Sequence, residues 1–150
     1  MDLLELLESQ RDSIVDEAVA ALSRSGLRHY AASGAETNRD RLTRLFDLTV
    51  ECVRQRSLVP MIAHAKEVAA ARHRDGFDLQ EVQTAFNVLE EIIWKRITTK
   101  LPPGGYPEAF GLTSTVLGRG KQALAVEYVS LASRERRMES LDVSALFEVM

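Results

Sequence analysis

Apolar residues recur along this chain at intervals of three and four almost from end to end, and no stretch alternates strictly for long. That spacing gathers side chains on one stripe of an α-helix and leaves no segment suited to a half-buried strand. The chain is therefore expected to be all-α. Its 150 residues, 45% hydrophobic and 27% charged, supply one sizeable core. No composition shift, internal repeat or low-complexity tract marks a second domain.

The punctuation between stripes divides the chain. Leu4, Leu7, Ile14, Ala18 and Leu22 line the first face behind an Asp2 N-cap, and the polar stretch Glu8–Asp12 permits a break into a short and a longer helix. Gly26 is a natural stop, and Leu27–Glu36 carries little pattern and reads as a loop. Thr37, three residues before Asp40, resembles a capping box ahead of the stripe Leu42, Leu45, Phe46, Thr49, Cys52 and Val53. Pro60 suits the first turn of the next helix, whose face is Met61, Ile62, Ala65, Val68, Ala69 and Arg72, and Gly76 ends it. Asp78 and Glu81 form the clearest start signal, followed by about five turns of helical spacing through Leu79, Val82, Phe86, Leu89, Ile93 and Ile97. The proline-rich run Leu101–Pro107 stops that helix. A last long segment carries Leu117, Gly120, Leu124, Tyr128 and Leu131 on one face and ends in the charged run Arg134–Arg137. Five to six helices are expected, as a helical bundle or a globin-like arrangement. Residues 1–140 form one domain in this reading, and 141–150 a short C-terminal helix or tail.

Charge and composition narrow the partners. A net charge of −3 with acids and bases interspersed lacks the basic footprint of a nucleic-acid binder. No apolar run approaches the roughly 20 residues that span a bilayer. The start, Met1-Asp2-Leu3-Leu4-Glu5, is acidic and lacks the basic and apolar regions of a secretory signal. The single Cys52 allows no intrachain disulfide. The expected address is the cytoplasm, with neither nucleic acid nor membrane as partner.

A search for chemistry finds isolated residues and no constellation. His64 and His73 stand nine apart, not at the four-residue offset that sets two ligands on one helical face. A haem needs only one proximal histidine, and His64, between Ala63 and Ala65, is the one weak candidate; a partly exposed helix histidine is the simpler account. Cys52 lies on an apolar stripe and reads as a core residue. Glu90 and Glu91 fall toward the polar side of their helix, with Lys95 as a partner. Gly118-Arg119-Gly120-Lys121 lacks the glycine spacing and preceding strand of a phosphate loop, so its glycines fit close helix approach or a kink. The runs Arg72-His73-Arg74 and Arg134–Arg137 read as solvated helix ends. No catalytic residue, metal site or cofactor is expected.

One segment carries a resemblance. Ala69 to Phe86, with an arginine, a spacer, Gly76-Phe77, Leu79 and Glu81-Val82, resembles the junction found in N-terminal domains of RsbT co-antagonist proteins, the stressosome sensors. The order of helices along the whole chain is similar as well. The resemblance implies a globin-like fold that binds no haem, forms a homodimer and acts as a non-enzymatic sensor module ahead of an output domain. It implies that the final helix, roughly Ala109 to Arg137, carries the dimer contact and the outward signal; the candidate residues are Leu117, Gly120, Leu124, Tyr128 and Leu131 on that helix and Trp94 on the one before it. No output domain follows within these 150 residues, so the downstream regulatory protein is left open. The alternative is a globin-like sensor that binds haem or another small ligand, with His64 nearest to the role.

Overall fold

A computed structural model of the chain describes the backbone of residues 1–149 and the side chains of residues 1–139. Among the described residues there are seven α-helices and no strand: α1 Leu3–Ser9, α2 Arg11–Arg24, α3 Arg28–Ser33, α4 Ala35–Gln55, α5 Val59–Arg74, α6 Leu79–Lys100 and α7 Tyr106–Val149. A 3₁₀ turn at Pro103–Gly105 links the last two.

The expected break after Glu8 is real. Asp2 caps α1 by accepting the Glu5 N–H at 2.9 Å, and α1 closes at Ser9. Arg11 opens α2 and is held by α4: its Nε and Nη2 each donate to the Asp47 carboxylate at 2.8 Å. This two-pronged pair fixes where the chain turns, because a guanidinium and a carboxylate match only in one plane.

Two expectations require correction, and the first accounts for seven helices in place of five to six. The stretch Leu27–Glu36 is not a loop, because Arg28–Ser33 forms α3. Only Tyr30 is buried there, so six residues show no stripe to read. Thr37 is not a cap either; α4 starts at Ala35 after Gly34, whose φ of +84° turns the chain, and Thr37 lies inside the helix.

The remaining punctuation is as expected. Pro60 lies in the first turn of α5, and Gly76, at φ +86°, turns the chain beyond its end. Asp78 and Glu81 form a reciprocal capping box on α6. The helix α7 runs unbroken through the position of the expected boundary at residue 140; the side chains of residues 140–149, and Met150, lie outside the described residues.

One continuous core joins all seven helices. Phe46, Leu6, Leu7, Ile14, Leu22, Leu42, Met61, Leu89, Ile93, Ile97, Leu117 and Leu124 are its fully buried side chains. Each contributes about 1.5–3 kcal/mol by leaving water. The helix α7 packs most extensively on α5, then on α6. Gly120 is the tightest point of that packing: a Cβ there would lie 2.8 Å from Phe86 Cε2 and 3.0 Å from Met61 Cγ and Sδ. Gly118 serves no such purpose, since a Cβ there meets nothing within 4 Å.

Candidate functional site

The α5–α6 junction, where the sequence places Gly76-Phe77, is built around one aromatic ring. Phe77 is buried, with the His29 ring centroid at 4.8 Å and the Tyr30 ring edge-on at 5.2 Å. Two guanidiniums approach the same ring, Arg41 at 5.5 Å and Arg72 at 5.7 Å from its centroid. Such contacts are attractive because the ring face is electron-rich. Glu81 locks the junction from the other side. Its carboxylate accepts from His29 Nδ1 at 2.7 Å, from the His29 backbone N–H at 3.3 Å and from the Asp78 N–H at 3.1 Å. Burial works to raise the Glu81 pKa, but these hydrogen bonds outweigh it and hold the carboxyl below its usual range.

Arg41 and Arg72 also line a cleft of about 260 Å³ between α4, α5 and α6, with Leu22 and Tyr30 closing one end. Its walls are apolar, contributed by Leu42, Leu45, Val68, Val82, Ala85 and Phe86. The polar groups set among them are Tyr30, Asn38, Asp40, Arg41, Arg44, His64 and Arg72. Arg72 is half-buried, and its guanidinium makes no ion pair or hydrogen bond among the described residues, although its backbone carbonyl accepts from the Phe77 N–H at 2.9 Å. Burial and then the charge of Arg41 push its pKa down. The reading of Arg72 as part of a solvated helix end is therefore corrected.

Tyr30 is 4% exposed, and burial raises its phenol pKa to about 12, so it stays protonated. Its hydroxyl has no hydrogen-bond partner among the described residues. Asn38, 5% exposed, donates Nδ2 to the Tyr30 carbonyl at 2.9 Å and leaves its buried Oδ1 unpartnered.

His64 lines this cleft from α5. Burial first, and the nearby charge of Arg44 next, lower its pKa and keep the imidazole neutral. Among the described residues no group of three His, Cys, Asp or Glu side chains gathers as a metal site. Cys52 sits in the core, and burial raises its thiol pKa. Glu90 is half-buried and faces Lys121 of α7 at 3.5 Å rather than Lys95, while Glu91 is exposed.

The last helix is tied to the junction by Tyr128. Its hydroxyl donates to the Phe77 carbonyl at 3.2 Å, and its ring meets His73 edge-on at 5.6 Å. Leu117, Gly120 and Leu124 share this inward face with Tyr128, and Leu131 is half-buried at its end. These residues are packed inside their own chain, so they reach a partner only through the packing they control. The side chains that α7 turns outward are Val126, Val129 and Met138, each more than 60% exposed. Trp94 is 41% exposed and packs edge-on against Phe110 of α7 at 5.6 Å.

The segment that shapes this junction lies inside a stretch that matches a known family. Residues 12–139 match the family described as the RsbT co-antagonist protein rsbRD N-terminal domain. The chain belongs to that family. Comparison with curated proteins and with solved structures returned no match. Within the rsbRD N-terminal domain of this chain, the family-like segment gains a physical account: Gly76 makes the turn, Phe77 receives two cations, and Asp78 with Glu81 starts α6.

Sequence reasoning missed Tyr30, Asn38 and Arg41 as cleft residues. Arg41 sits immediately before Leu42 on α4, where a cation flanking an apolar stripe ordinarily points to water. Arg72 carried a usable signal, since it falls at a core-facing position of α5, three residues after Ala69.

Proposed function

We propose that this chain is a non-enzymatic signal-input module of the stressosome type, acting in the cytoplasm as a homodimer and passing its state outward along α7. The globin-like, haem-free arrangement implied by the family resemblance belongs to this reading. One observation carries it, the course of α7. The helix is tethered to the Phe77 junction by Tyr128 and continues past Leu131 into residues 133–139, which are exposed, with one contact back to α5 from Glu135 to His73 at 3.7 Å. A single helix projecting into water gains little from its own hydrogen bonds and is stabilised by packing against a partner. Val126 and Val129, one turn apart on the outward face, offer an apolar contact for a second copy. A two-fold pair brings the same patch of both copies together.

A change at the junction alters the packing of Tyr128, and the helix carries that alteration into the exposed stretch beyond Leu131. The module signals only if two packings of α7 differ in their affinity for a ligand or partner. Sedimentation velocity at micromolar concentration tests the pairing. The wild type is expected to sediment as a dimer, and Val126→Glu with Val129→Glu as a monomer with unchanged helix content. A monomeric wild type overturns the proposal.

A second reading, a haem sensor, draws on the neutral His64 imidazole in an apolar cleft. Against it stands a cleft of about 260 Å³ that carries three arginines, smaller than the roughly 300–1,000 Å³ of sites for drug-sized ligands. A Soret band in freshly purified protein, lost in His64→Ala, would establish the haem reading instead.

A further inference from the structure

We infer that the cleft between α4, α5 and α6 binds a small organic carboxylate with a compact apolar body, held by Arg72, Arg41 and Tyr30. This deepens the signalling reading by naming the chemistry of the input, and rests on that reading only for what binding does afterward.

Among the described residues the lining of the cleft carries more cations than anions. Three arginines line it, Arg41, Arg44 and Arg72, against one acid, the exposed Asp40. Beyond the lining, Asp75 acts on Arg72 while also pairing with Arg74 at 3.8 Å, Glu67 acts on His64, and Glu81 acts on Tyr30 while its carboxylate is held by His29 and the Asp78 N–H. Arg41 and Arg72 share the Phe77 ring, which satisfies the faces of their guanidiniums but not their N–H donors. Arg41 donates once, to Ser33 Oγ at 3.0 Å, and Arg72 donates to nothing among the described residues. Two half-buried like charges that share one ring and act on each other are unfavourable, and an anion within reach of both relieves that.

The hydroxyl of Tyr30 adds a neutral donor beside the two cations. Tyr30 as a residue is 4% exposed and lines the same cleft, and its hydroxyl makes no hydrogen bond among the described residues. Two guanidiniums and a phenol suit the planar, two-oxygen head of a carboxylate, since guanidinium and carboxylate match edge to edge. The rest of the cleft sets the body of the ligand. Leu42, Leu45, Val68, Val82 and Phe86 are apolar, and about 260 Å³ admits a branched aliphatic or single-ring group. Asn38 Oδ1, buried and unpartnered, is left to accept from a hydroxyl on ligands that carry one.

The consequence follows from position. An anion that draws Arg72 and Arg41 toward itself changes their hold on Phe77, whose carbonyl receives the Tyr128 hydroxyl of α7.

The test titrates the whole chain with acetate, 3-methylbutyrate and phenylacetate, with 3-methylbutanol and 2-phenylethanol as neutral counterparts, at matched ionic strength. Backbone amide shifts in ¹H–¹⁵N spectra read the site. Saturable shifts at α4 and α5 are expected with the two larger carboxylates and not with the alcohols. Arg72→Met is expected to weaken binding by about tenfold or more, the usual scale for a charge-assisted hydrogen bond. Tyr30→Phe, which keeps the core volume, is expected to weaken it less and supplies the test if Arg72→Met fails to fold. The proposal is overturned if no carboxylate shifts these amides at millimolar concentration, if the alcohols bind equally well, or if both variants bind as the wild type does. Dimerisation is measured separately by sedimentation, so loss of one reading leaves the other standing.

Discussion

Tyr128 on the last helix donates its hydroxyl to the backbone carbonyl of Phe77 at 3.2 Å, bridging 51 residues of sequence to join α7 to the turn between α5 and α6. The contact is buried, so neither group has water as a substitute. Tyr128→Phe keeps the ring and strands the carbonyl. It is expected to cost about 1–2 kcal/mol in urea denaturation with an unchanged slope. An unaltered midpoint would show that the hydroxyl is spare.

Gly120 tests the packing on which α7 depends. Gly120→Ala drives a Cβ into Phe86 and Met61, both buried, and is expected to destabilise by about 1–3 kcal/mol. Gly118→Ala, with open space around it, is expected to be stabilising by roughly 0.5–1 kcal/mol through helix propensity alone. Thermal melts of both variants should therefore move in opposite directions. A shared direction would place the crossing elsewhere.

The buried Glu81 gives stability an acid dependence of defined sign. Its folded pKa lies below the ordinary carboxylate value of about 4.3, so the unfolded chain binds the proton more readily in the interval between the two. The stabilisation from Glu81 is complete above the unfolded value and disappears as pH falls through the folded one. Denaturation midpoints measured from pH 6 to 3 should decline more steeply for the wild type than for Glu81→Gln. Parallel curves would mean that His29 and the capping N–H groups do not favour the charged form.

Much of this fold is legible in the sequence, for reasons that also explain the gaps. The start of α6 could be read because Asp78 and Glu81 satisfy backbone donors locally, without help from the rest of the chain. The start of α4 could not, because Gly34 turns the chain by its own φ and no side chain marks the place. A six-residue helix such as α3, with Tyr30 alone buried, gives periodicity nothing to act on. The cleft is hidden for a different reason. Arg41 and Arg72 lie on separate helices, and only the packing of α4 against α5 brings both to Phe77. On α7 the inward stripe is the longer and more regular one, and Val126 and Val129 on the outer face form no comparable periodic pattern.

Cys52 reports on the core directly. It is buried, and its thiol pKa is raised by that burial, so the reactive thiolate is scarce and inaccessible. Native protein is expected to react with a thiol reagent only as fast as it opens, and urea-unfolded protein at once. Rapid labelling of the native chain would contradict the buried placement.

The central claim is that two copies pair along α7 and that the Phe77 junction sets how they pair. With the buried Cys52 replaced by Ala, Ser133→Cys, on the exposed stretch of α7, carries a single nitroxide per chain. Pulsed electron–electron double resonance then measures the distance between the two copies. The account predicts a defined inter-copy distance in the otherwise wild-type chain and a shifted or broadened one when Tyr128→Phe is added. Absence of any inter-copy coupling, or an identical distribution in both proteins, would contradict it.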